Sequence, residues 1–387
     1  MTHSSIAVLV PSPGAQLQRS QRAKTLLARP AAAGVAVQAS PKPALDWDNL
    51  GFGIQGVAPH MFVTTYDSET GEWTEGDLLP YGPLAMSPAA QVLNYGQAIF
   101  EGMKAQRSER GRVVLFRPEA NAERMAAGAA RMSMAAPSQE LYVRAVEAAV
   151  RANADYVPPA GKGSLYVRPL LLGSGAILGV GPAPSYTFVV YASAVGAYFK
   201  GGQLAPIDLL VETRFHRAAP RGTGGTKCAG NYSPGLGALA AAKAEGYADV
   251  VYLDAKTDTY LEEVSSCNVF AVHGNTIRTP PLRGTILPGV TRRSVIELAR
   301  RLGYQVEEAP VSVDEALQAD EIFTTGTAVV LASVGSLTYK GRRHAYSDDG
   351  KYGPVALRLY EALTGIQQER LEDPFGWVHP VPGVETV

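Results

Sequence analysis

The chain is poor in the features that assign a sequence quickly. Only two cysteines, Cys228 and Cys267, occur in 387 residues, too few for a disulfide framework and in keeping with a reducing compartment. Neither charge sign is in excess: 35 Lys and Arg stand against 36 Asp and Glu, a formal net charge of −1. A general nucleic-acid or anionic-membrane binder would show a basic surplus, so no nucleic acid or membrane partner is expected. The apolar stretch 186–198 falls short of the roughly 20 residues needed to span a bilayer and reads as a buried strand with its exit. Six histidines, His3, His60, His216, His273, His344 and His379, lack ligand spacing, and the two distant cysteines make no zinc set. No metal is expected.

Acid is also missing from one end. No Asp or Glu precedes Asp46, whereas Arg19, Arg22, Lys24, Arg29 and Lys42 are basic and Ser, Ala and Pro fill most of the remainder. That composition predicts an organellar transit peptide over 1–45, for chloroplast or mitochondrion. Beyond it the chain has a globular composition, 46% hydrophobic and 18% charged, and its length predicts two domains. β-branched and aromatic runs at 62–67, 112–117, 164–171 and 186–191 read as strands. Pro118 opens a helix, and Ser138 caps a second whose Leu141, Ala145, Val146, Ala149 and Val150 share one face. The cluster Gly196, Gly201, Gly202 and Pro206 predicts a connection over 196–206 between a domain at 46–195 and one at 207–387. The second half predicts strands at 207–211, 249–253, 267–272, 321–324 and 329–334. Helices follow Pro234, ending at Gly246, and Pro288, running to about Leu302.

What the sequence does have is one unusual stretch, Arg221-Gly222-Thr223-Gly224-Gly225-Thr226-Lys227-Cys228-Ala229-Gly230-Asn231-Tyr232. Small residues around a lysine leave room for a flat group to lie against the backbone. A lysine desolvated there sheds its proton more readily and becomes a nucleophile toward carbonyls. A solvated lysine in a glycine-rich surface loop is the plain alternative. A nucleotide phosphate loop would need Ser or Thr after the lysine, and Cys228 stands there.

Several separated motifs then resemble one family. They are Phe100-Glu101-Gly102-Met103-Lys104, Leu165-Tyr166-Val167-Arg168-Pro169, Val195-Gly196-Ala197-Tyr198-Phe199, the run 227–232, Leu261-Glu262-Glu263-Val264-Ser265-Ser266-Cys267-Asn268, Leu287-Pro288-Gly289 and Gly326-Thr327-Ala328. From about Trp47 to Val378 the chain resembles the branched-chain amino acid aminotransferases, fold-type IV pyridoxal-phosphate enzymes, and looks closest to their plant-type members. The resemblance implies a two-domain α/β fold with the cofactor, pyridoxal 5'-phosphate, between the domains. It implies reversible amino transfer between leucine, isoleucine or valine and 2-oxoglutarate, yielding glutamate, by an enzyme that is usually a homodimer. It makes Lys227 the Schiff-base lysine, Glu263 the partner of the pyridine nitrogen and Tyr232 the partner of the ring oxygen. Leu287 is the matching wall against the ring. Arg117, Gly289, Val290, Thr291 and Thr327 match the phosphate site, and for 290–291 the start of a helix is an independent reason. Tyr95, Tyr166 and Tyr198 match the substrate pocket, Arg168 the group for the glutamate side chain, and Ser266 and Ala328 the α-carboxylate site. Adjacent strand residues face opposite ways, so Glu262 is expected to turn away as a solvated residue. Within the same fold a D-amino-acid aminotransferase or an aminodeoxychorismate lyase is the alternative. A non-catalytic cofactor-binding relative is the alternative of another class. A plant-type body with an alanine-rich leader favours the plastid over the mitochondrion.

Overall fold

The computed structural model describes residues 45–196, 204–347 and 350–384. The predicted leader therefore lies outside the described residues, as do most of the 196–206 connection and Tyr198. From Pro43 onward the chain packs as one compact unit, and within it the strands form two sheets.

The first sheet is antiparallel and runs through Val113–Phe116, Met103–Arg107, Ser164–Gly173, Ser185–Val195 and His60–Asp67. Alternate residues of these strands are buried beneath two helices, Pro118–Arg131 and Gln139–Ala152. The second helix is built as its spacing predicts: Ser138 Oγ accepts from the Leu141 amide at 3.1 Å. Leu141, Tyr142, Ala145, Val146, Ala149 and Val150 form its buried face. Tyr142 stacks on Phe188 of the sheet, centroids 5.7 Å apart. Near the C-terminus the short strand Val378–Pro380 adds itself to the free edge of Val113–Phe116.

The second sheet is mixed. Leu261–Val264, Asp249–Leu253, Ile207–Glu212, Val330–Tyr339, Glu321–Gly326 and Asn268–His273 follow one another, and a direct pairing of Glu263 with Asn268 closes them into a ring. One side is packed by apolar residues such as Leu209, Leu253 and Ile322. Phe270 and Phe323 stack 4.8 Å apart on the other side, under the helices Val290–Arg301 and Pro354–Gln367. A strand covered on both faces has no solvated side. This corrects the expectation for Glu262, which points away from Glu263 but is 6% exposed and buried, not solvated. The helix after Pro234 spans Leu236–Ala244, and Gly246 ends it at φ 93° as expected.

Candidate active site

The Lys227 loop crosses from one sheet to the other. Phe100 on the short strand Ala98–Phe100 donates its amide to the Lys227 carbonyl at 3.1 Å, and Cys228 bridges to Ile99. Asn231 fixes the turn by donating to the carbonyls of Thr223 (2.7 Å) and Thr226 (2.8 Å). Gly224 is required by close approach, since a Cβ there would overlap the Thr285 carbonyl. Lys227 is thus held partly buried, its ammonium 3.1 Å from Tyr232 Oη and 4.7 Å from the Phe100 ring centre. The solvated-loop alternative does not describe it.

Lys227 opens into a cavity of about 370 Å³ between the sheets. The structure brings together there Tyr166, Arg168, Tyr232, Glu263, Ser266, Leu287, Gly289, Val290, Thr291, Thr327 and Ala328, all expected site residues. Two others stand apart. Tyr95 is 47% exposed and donates its hydroxyl to the Leu178 carbonyl at 2.8 Å, away from this cavity. Arg117 lies behind the helix Val290–Arg301, donating to Ser294 Oγ at 3.0 Å with its guanidinium 4.9 Å over Trp377. Its backbone is left-handed at φ 50°, an uncommon state for a side-chain-bearing residue, and so is Val330 at φ 63° beyond the Ala328 turn.

Glu263 is 3% exposed. It accepts from the Leu287 amide and from Asn268 Nδ2, each at 3.2 Å, and pairs with Arg217. Burial raises its carboxyl to about 7 against the opposing pull of Arg217. Burial lowers the Lys227 ammonium to about 8; Arg124 and Arg168 push the same way while Glu101 and Glu263 oppose. Tyr232 is raised well above the ordinary phenol range by burial and by Glu263. A second buried pair flanks the cavity: Arg124 grips Glu101 through Nε (2.8 Å) and Nη2 (2.6 Å), and Asn121 donates to the same carboxylate at 2.8 Å.

Sequence reasoning missed Arg124, Arg217, Asn268 and the Phe100 ring as parts of this site. Nothing in the local pattern marks Arg124 and Arg217, while Phe100 and Asn268 stand inside the motifs that carry the resemblance without a role being read for them. Arg124 and Arg217 find their partners Glu101 and Glu263 far away in the chain, whereas Asn268 donates to Glu263 five positions before it.

The cavity suits a flat aldehyde bearing a phosphate. It has an amine, a phenol beside that amine, a buried carboxylate at another wall, and the apolar Leu287. The helix Val290–Arg301 begins there with no side chain capping it, so its first amides keep their donors for an anion. Two buried polar atoms in the lining, Arg168 Nε and Thr325 Oγ1, have no protein partner.

Comparison with known proteins supplies the family. Residues 98–337 match the amino-transferase class IV family. The chain is 54% identical over 333 residues to branched-chain-amino-acid aminotransferase 5, chloroplastic, of Arabidopsis thaliana, covering 86% of this chain and 79% of that protein. It is 52% identical over 335 residues to branched-chain amino acid aminotransferase 1, mitochondrial, of Humulus lupulus, covering 86% and 84%. The branched-chain amino acid aminotransferase of T.th., solved with pyridoxamine 5'-phosphate, superposes with a TM-score of 0.72 at 28% identity, over 84% of this chain and 99% of that one. The chain belongs to the class IV aminotransferases. The mixed α/β fold read from the motifs is the fold of that family.

Proposed function

We propose that this chain transfers the amino group of leucine, isoleucine or valine reversibly to 2-oxoglutarate, with pyridoxal 5'-phosphate as cofactor. The observation that carries the reading is a desolvated lysine and a buried carboxylate facing one cavity, with a phenol 3.1 Å from the amine. The names of its plant relatives support the substrate class.

The cofactor, when bound, supplies an electron sink that acidifies the substrate Cα–H. Lys227 would hold it covalently and, once displaced, take the proton from substrate Cα on Nζ and return it elsewhere. Glu263 would keep the ring nitrogen protonated, and Tyr232 would donate to the ring oxygen. Leu287 would wall one ring face. The amides at Val290 and Thr291, the Thr327 hydroxyl and, behind the helix, Arg117 would neutralise the phosphate, with Gly289 giving the backbone room. Tyr166 supplies an apolar wall. Arg168, 4.9 Å over Phe100 and 5.4 Å from the Tyr166 ring centre, is a cation that a second carboxylate could recruit. Ser266 and Ala328, which line the cavity, would hold the α-carboxylate.

The same reading divides the body into a smaller domain at 46–195 and a larger one at 207–387, which the two separate sheets support except for Val378–Pro380, a strand of the first sheet. It also takes the protein as a homodimer. Tyr95 lies outside the Lys227 cavity, and beside it Leu178 and Val180 are 89% and 87% exposed, so this edge suits a second copy. Sedimentation at micromolar concentration tests that: a monomer would exclude it. The acid-free leader, together with relatives named chloroplastic, supports plastid import, the mitochondrion being the alternative. Residues 1–45 fused to a fluorescent protein would decide.

The functional test is the visible spectrum of the protein loaded with pyridoxal phosphate. A yellow band should bleach with leucine alone and return with 2-oxoglutarate. A response to D-alanine alone would move the assignment to a D-specific enzyme. A protein that stays colourless would refute the role of Lys227.

A further inference from the structure

Arg217 follows the strand Ile207–Glu212 in the chain and precedes the Lys227 loop, and its side chain is buried, 5% exposed. A single nitrogen, Nη2, donates to the Gly224 carbonyl at 2.7 Å and to the Thr285 carbonyl at 2.7 Å, and also pairs with Glu263 Oε1. Those three contacts lie on three segments. Gly224 is on the loop that presents Lys227, Thr285 precedes the Leu287 wall, and Glu263 is on the strand Leu261–Val264. We propose that Arg217 is a positioning residue that keeps the Glu263 carboxylate ionised and aimed into the cavity, while locking the lysine loop to it.

The argument is one of charge matching. A guanidinium does not lose its proton in a protein, so a buried one must be matched by an anion. The neighbouring cations are otherwise engaged: Arg124 is committed to Glu101, and Arg168 lies over the Phe100 and Tyr166 rings. Lys227 faces the cavity from its own loop. Asn268 and the Leu287 amide are neutral donors. Arg217 is therefore the cation in direct contact with Glu263. Glu262, on the opposite face of the strand, is also buried with one carboxylate oxygen unpartnered, and its charge adds to the demand on Arg217. Without the guanidinium, two neutral donors would be left to hold a carboxylate that burial already biases toward its protonated form. A neutral Glu263 could not hold a cofactor ring nitrogen in its protonated state.

This inference rests on the cofactor role proposed for Glu263. Its test is pyridoxal-phosphate binding to the full-length apoprotein, by absorbance titration, for wild type, R217M, R217K, E263Q and R217M/E263Q. R217M is expected to weaken binding at least about tenfold, the scale of a lost charged hydrogen bond, and E263Q similarly. The double variant should be no more than about twofold weaker than either single variant, because both changes remove one interaction. R217K restores the charge without the fork and should recover most of the affinity, which a purely steric role would not allow. It also keeps the test alive if R217M fails to fold. The proposal falls if the losses multiply in the double variant, if R217K is as weak as R217M, or if R217M binds like wild type. A wild type that binds no pyridoxal phosphate would overturn the whole functional reading. A normal wild type beside a normal R217M would overturn this inference alone.

Discussion

The Glu101–Arg124 pair offers the sharpest test of how the site is held. Glu101 is fully buried and accepts from Arg124 Nε and Nη2 and from Asn121; Arg124 also donates to the Pro288 carbonyl at 3.1 Å, beside the helix start. Glu101→Gln keeps the volume, removes the anion and turns one acceptor into a donor facing other donors. Breaking a buried pair by removing one partner costs about 3–5 kcal/mol. At about 2–4 °C per kcal/mol for larger domains, the thermal midpoint of the full chain should fall by roughly 6–20 °C. The second consequence is electrical. Burial and Arg124 lower the Lys227 ammonium while Glu101 raises it, so loss of Glu101's charge should move its titration below about 8. Thermal denaturation reads the first effect, and the pH profile of cofactor uptake by the apoprotein reads the second. Glu101→Gln combined with Arg124→Met should regain much of the lost midpoint, because deleting a whole buried pair is often close to neutral. A single variant within about 3 °C of wild type, or a double variant that sums the two single losses, would refute the reasoning.

Other outcomes follow from the same geometry. Cofactor uptake by the wild-type apoprotein needs neutral Lys227, so its rate should rise with pH and reach half its plateau near pH 8; a midpoint above pH 10 in stopped-flow absorbance would mean a solvated amine. Arg168→Met should lower kcat/KM for 2-oxoglutarate by about ten- to a hundredfold, the value of a charged hydrogen bond, and change leucine about threefold or less. Steady-state kinetics on the two half-reactions would show equal losses if Arg168 were only structural. Gly102→Ala would drive a Cβ into Tyr166 Oη, so KM for leucine should rise several-fold with little change in cofactor affinity. An unchanged KM would show that Tyr166 does not wall the substrate.

Much of this fold can be read from local chemistry. Ser138, Pro118 and Gly246 bound their helices for reasons contained in a few adjacent residues, and the face of Gln139–Ala152 follows from spacing alone. The lysine with its small neighbours and Tyr232 is equally local, the amine and the phenol lying five positions apart. Arg217 and Glu263 are 46 positions apart in sequence and Arg124 and Glu101 are 23 apart, so only the assembled sheets disclose them. Glu262 shows the limit of alternation: the rule gives its direction, but whether the far side of a strand meets water depends on what packs there. Tyr95 shows another limit: the motif resemblance places it in the substrate pocket, whereas in the folded chain its hydroxyl donates to the Leu178 carbonyl away from the Lys227 cavity.

The charges around Lys227 cancel in an order that bears on substrate choice. Arg124 is matched by Glu101, and Arg217 by Glu263. Among the described residues no carboxylate pairs with Arg168, whose guanidinium lies over two aromatic rings with Nε unpartnered. Stacking of a cation on aromatic faces contributes about 0.5–2 kcal/mol, enough to keep it folded onto the wall when an apolar side chain fills the pocket. A carboxylate offers about 1.5–3 kcal/mol per charged hydrogen bond, enough to draw it away. One cation with a weak resting partner and a stronger incoming one would let a single cavity accept leucine and glutamate in turn. Replacing Phe100 with leucine should therefore weaken discrimination, by loosening Arg168 when no second carboxylate is present, and steady-state competition between the two amino acids would register it.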